Sequence, residues 1–281
     1  MKFFTHPSRK PAPTFTQIDG FDRITMHLDR PEPPFPLELL TPHCTNVVAI
    51  AAQPRYQANR KFLLELFQPT KKCLQVIRKG LGGEVCLDIT YTEVARDIVP
   101  ADPDQVSEML AAFLGCARMP SERDVVLSIA GKTWYYSRER KNGNHLTLYG
   151  DKPSKINNAK PEFDAPLCLH VEWRASGKEA LSNIGIMALD DLINFDFDGH
   201  WDNHLKLYDQ PSKTLLGRKL ARIEGGKTDA SNPAYLKRAN AFLGRHSKHD
   251  IFILQNALNS MPELARRLKL LTWQEWIDAY L

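Results

Sequence analysis

Phe62-Leu-Leu-Glu-Leu-Phe67, then Pro69-Thr70, then Cys73-Leu-Gln-Val-Ile77-Arg-Lys-Gly-Leu81-Gly82, then Val85-Cys-Leu-Asp88-Ile-Thr-Tyr91 form one continuous passage. The first run is short, apolar and bounded by a proline, which reads as a strand. Thr70 is a suitable N-cap, and Cys73, Leu74, Val76, Ile77 and Leu81 then fall on one helical face before Gly82 stops the helix. Residues 85–91 alternate and read as a second strand.

Working outward, Asp102-Pro103 marks a helix start, with Val106, Met109, Leu110 and Phe113 as its buried stripe and Gly115 as its end. Four more strands are expected at Val125–Ala130, Thr133–Ser137, His145–Tyr149 and Leu167–Trp173, with Asn142-Gly143-Asn144 as a hairpin turn. The order β-α-β-α-β-β-β predicts an α+β fold, a mainly antiparallel sheet with helices on one face and the other face open. A helical C-terminal region follows. Residues 1–36 hold seven prolines and little periodicity, so an arm or lid is expected there. The domains expected are an arm over 1–40, a catalytic α+β domain over 41–190, and a basic, mostly helical region over 191–281.

Composition narrows the function. Hydrophobic residues make up 43% and charged residues 25%, which fits a globular protein and argues against disorder. No apolar run is long enough to cross a membrane, and the N-terminal residues lack the apolar core of a secretory signal. A cytoplasmic location with no membrane partner is therefore expected. The five cysteines are scattered, without a CxxC pair, and suggest neither a disulfide framework nor a zinc ribbon. The net charge is only +4 but unevenly spread. Residues 190–209 carry six Asp and one Lys, whereas 213–248 carry nine Lys/Arg and two acids. The basic block, with Arg218, Lys219 and Arg222 at its centre, suits a phosphate backbone.

The strand period of two sorts the polar residues. If the strands share a sheet, Asp88, His145, Tyr149, His170 and Glu172 gather on its open face. Two carboxylates and two imidazoles suit a hard or borderline divalent cation. Tyr149 stands beside them, and a phenol needs such an environment to act as a nucleophile. Lys152 and Lys155 follow at once. An internal echo pairs His145-Leu-Thr-Leu-Tyr149 with His204-Leu-Lys-Leu-Tyr208, which makes Tyr208 a second tyrosine candidate. His200 and His204, four apart on a helix, are weighed as metal ligands against a simple aspartate-rich cap.

Cys86-Leu-Asp88-Ile, Leu146-Thr-Leu-Tyr149-Gly-Asp-Lys152 and His170-Val-Glu172-Trp-Arg174 together resemble the skeleton of the filamentous-phage gene II replication proteins. They are similar as well to the Rep initiators of Gram-positive plasmids and their relaxase relatives. Gly131-Lys-Thr-Trp-Tyr135-Tyr-Ser-Arg138 resembles a further plasmid-family strand. The likeness covers roughly residues 60–190. Two residues separate Tyr149 from Lys152, where one-residue versions also occur.

The resemblance implies a ferredoxin-like, Rep-like catalytic domain that initiates rolling-circle replication or mobilisation. Tyr149 would nick one DNA strand and remain joined to its 5′ phosphate, with Lys152 as a phosphate contact. Asp88 and Glu172 would hold Mg²⁺ or Mn²⁺, and His170, from its place on the same face, is expected to join them. Arg138, Lys155 and Arg174, with Arg218, Lys219 and Arg222 of the basic block beyond the stretch of likeness, are expected to meet single-stranded or hairpin origin DNA, with a host helicase as a further partner. The alternative expectation is a non-catalytic DNA-binding initiator or regulator built from winged-helix modules.

Overall fold

The computed structural model describes residues 15–51, 60–82, 87–118, 125–127, 133–136, 143–156, 165–209 and 268–280. Its centre is an eight-stranded sheet in the order β2-β3-β1-β4-β9-β8-β7-β6. The strands are β1 (Phe15–Leu28), β2 (Asn46–Ala51), β3 (Phe62–Phe67), β4 (Leu87–Pro100), β6 (Val125–Leu127), β7 (Thr133–Tyr136), β8 (Gly143–Pro153) and β9 (Leu167–Ser176). Each neighbouring pair is antiparallel. A small sheet, β11-β10-β5, joins Leu270–Leu271, Lys206–Tyr208 and Ala117–Arg118. The fold is α+β with a mainly antiparallel sheet.

Six α-helices occur among the described residues: α1 (Lys71–Leu81), α2 (Gln105–Cys116), α3 (Lys178–Asn183), α4 (Leu189–Ile193), α5 (Phe197–His204) and α6 (Trp273–Tyr280). The Thr70 side chain caps α1 by accepting from Cys73 N, an interaction worth about 1 kcal/mol. Thr272 and Glu275 close α6 reciprocally: Glu275 N donates to the Thr272 hydroxyl and Thr272 N donates to the Glu275 carboxylate. Ile24, Met26, Val94, Leu148 and Val171 of the sheet join Leu74, Phe113, Leu181, Trp201 and Trp276 of the helices in one apolar core. None of the described helices is long and apolar enough to cross a membrane.

The first strand corrects the expected arm. Residues 15–28 form a fourteen-residue strand between β3 and β4, with Ile24, Met26 and Leu28 fully buried. Period-two burial outweighs the surrounding prolines, which fall outside the strand. β4 also runs beyond the expected Tyr91, to Pro100. The echo is not a structural repeat. His145 to Tyr149 lies wholly within β8, whereas His204 ends α5 and Tyr208 belongs to the small sheet. Of the basic block, Arg218, Lys219 and Arg222 lie outside the described residues, as does Arg138.

Candidate active site

The sheet has three irregularities, of which the first and third lie at the site. Between β1 and β4 the register shifts between Phe21 and Arg23, so Asp22 is an extra, unpaired residue. A second shift, between Thr25 and Met26, leaves Thr90 of β4 unpaired. The third, between β8 and β9, separates Tyr149 from Lys152 by three steps where β9 takes two, from His170 to Cys168. A bulged residue re-aims its neighbours, which is why bulges recur beside functional sites.

The third bulge has a direct consequence. At strand period two, residues three apart point to opposite faces. The extra residue in β8 returns Lys152 to the face of Tyr149, opposite Cys168. Lys152 Nζ then lies 5.1 Å from the Tyr149 ring centroid. Gly150 makes this possible, because a Cβ there would stand 2.8 Å from Val106 Cγ1 of α2.

Across the sheet, Asp97 of β4 faces His170 of β9, which faces Tyr149 of β8. The imidazole Nδ1 of His170 is 2.5 Å from Asp97 Oδ1, and its Nε2 is 3.2 Å from Glu172 Oε2. Asp97 therefore fixes the ring and directs Nε2 toward Glu172 and the site, the arrangement found behind metal-ligating histidines, where Nε2 would give up its proton to bind a cation. Asp22 is the third member. One ligand atom each from Asp22, His170 and Glu172 lies within 4.8 Å of the other two. Asp22 is itself anchored, its Oδ1 and backbone carbonyl both accepting from the Gln68 amide.

The electrostatics fit a cation at this point. The Asp22 carboxyl is raised, first by burial and then by the charge of Glu172. Burial alone would depress the His170 imidazole, but its bonds to Asp97 and Glu172 outweigh this and raise it. Burial would raise Glu172, yet His170 and Arg174 hold it low. Tyr149 is pushed far above its usual range by burial and by Glu172, Asp22 and Asp97. Two crowded carboxylates, an oriented imidazole and a suppressed phenol form a set that a hard or borderline divalent cation would relieve.

The expected site residues divide as follows. Tyr149, Lys152, His170 and Glu172 come together. His145 shares their face but sits in the next row but one, opposite Arg174. Arg174 is turned inward, its Nε donating to Glu172 Oε1. Lys155 is exposed beyond the end of β8. Asp88 does not join them: it is seven residues before Ala95, the residue facing Glu172, or roughly 20 Å along the strand. Its side chain is 50% exposed and paired with Arg60, whereas Glu172 is 1% exposed. Tyr208 belongs to the small sheet. The rings of His200 and His204 meet at a tilt of 40°, 4.9 Å between centroids, within an aromatic cluster. The polar face is not open as expected, since Asp97, His170, Glu172 and Thr147 are all buried.

Neither a protein-family model nor a curated protein matches the chain. Among solved structures, the chain is similar to a rolling circle replication initiator protein from Geobacillus stearothermophilus, with 11% identity and a TM-score of 0.37. The match covers 80% of this chain and 96% of that one. A likeness at that level carries no functional argument, which rests on the site.

Proposed function

We propose that this chain is a metal-dependent DNA nicking and joining enzyme that starts rolling-circle replication or mobilisation. Tyr149 is its nucleophile, and Asp22, His170 and Glu172 are its metal ligands. The observation that carries the reading is the Tyr149 ring stacked on the His170 imidazole, 4.2 Å between centroids and 21° between planes. His170 is at once the neighbour of the phenol and a member of the three-ligand cluster.

The three ligands would hold Mg²⁺ or Mn²⁺, which supplies Lewis-acid polarisation of a phosphate oxygen and offsets the carboxylate charge around the phenol. The rest is done by side chains. His170 fixes the plane of the Tyr149 ring, so the phenolic oxygen has a defined approach. Asp97 fixes His170. Lys152 offers a cation to a phosphate held over the ring. The Tyr149 oxygen attacks phosphorus, a P–O bond to tyrosine forms, and the bond to the 3′ oxygen breaks. The phenol loses a proton and the departing 3′ hydroxyl gains one. The phosphodiester is exchanged, not hydrolysed, so rejoining requires no nucleotide cofactor.

The test is covalent capture. The protein is incubated with 5′-labelled and 3′-labelled single-stranded origin DNA and Mn²⁺, then denatured. An adduct retaining only the fragment 3′ of the nick, lost in Tyr149→Phe, is expected. Sequence-specific binding without an adduct on any origin DNA would favour the winged-helix reading.

A further inference from the structure

Glu172 is held by a ladder of alternating charges that crosses four strands. Its Oε2 faces His170, while its Oε1 accepts from Arg174 Nε. Arg174 Nε lies 3.6 Å from Glu93 Oε1 on β4. Glu93 Oε1 accepts from Arg23 Nη2 of β1 at 2.7 Å and from the Tyr91 hydroxyl at 2.5 Å. Arg23 Nη1 reaches Glu65 of β3 at 3.6 Å, and Glu65 also accepts from Thr25. Arg23 faces Glu93 across β1 and β4, and Glu93 faces Arg174 across β4 and β9. Arg23, Glu93 and Arg174 therefore form one row of the sheet, and Glu65 and the candidate metal ligand Glu172 adjoin its two ends from the rows beside it.

We infer that Arg174 and Glu93 are positioning residues for Glu172, dividing its two oxygens so that one remains directed into the metal site. This rests on the reading of Asp22, His170 and Glu172 as a metal centre. A guanidinium beside a single carboxylate tends to fork across both oxygens. Glu93 opposes this by sharing the Arg174 Nε, which lies between its Oε1 and Glu172 Oε1. Arg23 and Tyr91 fix Glu93 in turn and offset part of the burial that pushes its carboxyl up to about 7. Without the Glu93 charge, Arg174 would fork onto Glu172 and compete with the cation for both oxygens. Outer-shell partners of this kind usually alter metal affinity by about 10–100-fold.

The experiment is Mn²⁺ titration of the full chain without DNA, followed by electron paramagnetic resonance, with thermal melts to check folding. Glu93→Gln is expected to weaken Mn²⁺ binding at least tenfold and to change the bound-Mn²⁺ line shape. Glu93→Asp, which keeps the charge, is expected to recover most of the affinity. Asp88→Asn removes one negative charge from the same strand face without touching Arg174, and is expected to leave affinity and line shape unchanged. Wild-type affinity and line shape in Glu93→Gln would overturn the ladder's role, as would equal losses in Glu93→Gln and Asp88→Asn. Failure of the wild-type chain to bind Mn²⁺ would overturn the metal centre, and the ladder's role with it.

Discussion

Tyr149 and His170 face each other across β8 and β9, and their rings stack at 4.2 Å. The phenol is thus oriented by a residue whose other side is held by Asp97. Tyr149→Phe keeps the stack and removes only the hydroxyl. The covalent DNA adduct should fall below detection while the melting temperature changes little. Tyr208→Phe should retain full adduct yield, because Tyr208 pairs with Leu270 in the separate small sheet. Gel-shifted labelled DNA after denaturation checks both.

Asp22 and Asp88 make a second pair of opposed expectations. Asp22 belongs to the ligand cluster, whereas Asp88 is an exposed partner of Arg60. Asp22→Asn should weaken Mn²⁺ binding by more than the roughly 10–100-fold typical of outer-shell changes, and should abolish the adduct. Asp88→Asn should alter neither, since surface ion pairs contribute at most about 1 kcal/mol to stability. Calorimetric titration with Mn²⁺ separates the two.

The contrast shows what the sequence could and could not convey. β8 and β9 were legible because 146–149 and 167–173 alternate without interruption, so Tyr149, His170 and Glu172 could be placed on one face. β4 was legible only to Tyr91, because Glu93, Arg96 and Asp97 are charged residues at buried positions, and burial of charges defeats a hydrophobic pattern. The bulge at Thr90 also moved Tyr91 to the opposite face from Ile89, contrary to simple alternation. Asp22 had no signal of its own, since a bulge is defined by its partner strand. Its strand did carry one: Ile24, Met26 and Leu28 recur at period two, overshadowed by nearby prolines. The helix from Thr70 was legible because cap, stripe and stop agree.

Gly150 offers a test of the β8 bulge. Its position against Val106 and Leu110 leaves no space for a methyl group. Gly150→Ala should cost about 1–3 kcal/mol by overpacking and should lower adduct yield by displacing Lys152 relative to Tyr149. Val106→Ala in the same chain should restore part of both losses by making room. A double-mutant cycle from urea melts measures the coupling. Strictly additive losses would mean that Gly150 and Val106 do not interact.

His200 sets an acid limit on stability. Its ring meets Trp173 and Trp201 nearly at right angles, at 5.6 and 5.1 Å, and packs against Phe195 and His204. Neither ring nitrogen finds a hydrogen-bond partner among the described residues. Burial first, then His204 and Arg96, push its pKa down to about 3. Between about pH 6.5 and pH 3 the unfolded chain therefore binds a proton at this residue that the folded chain refuses. The stabilisation associated with neutral His200 is present in full above pH 6.5 and declines as pH falls through that window, by about 1.4 kcal/mol per pH unit for one proton. His200→Phe keeps an aromatic ring in the cluster and removes the titration. Urea unfolding of both proteins between pH 4 and 7.5 should give a wild-type curve that falls more steeply below pH 6.5 than that of the variant. Parallel curves would mean that His200 takes up its proton in the folded chain as readily as in the unfolded one.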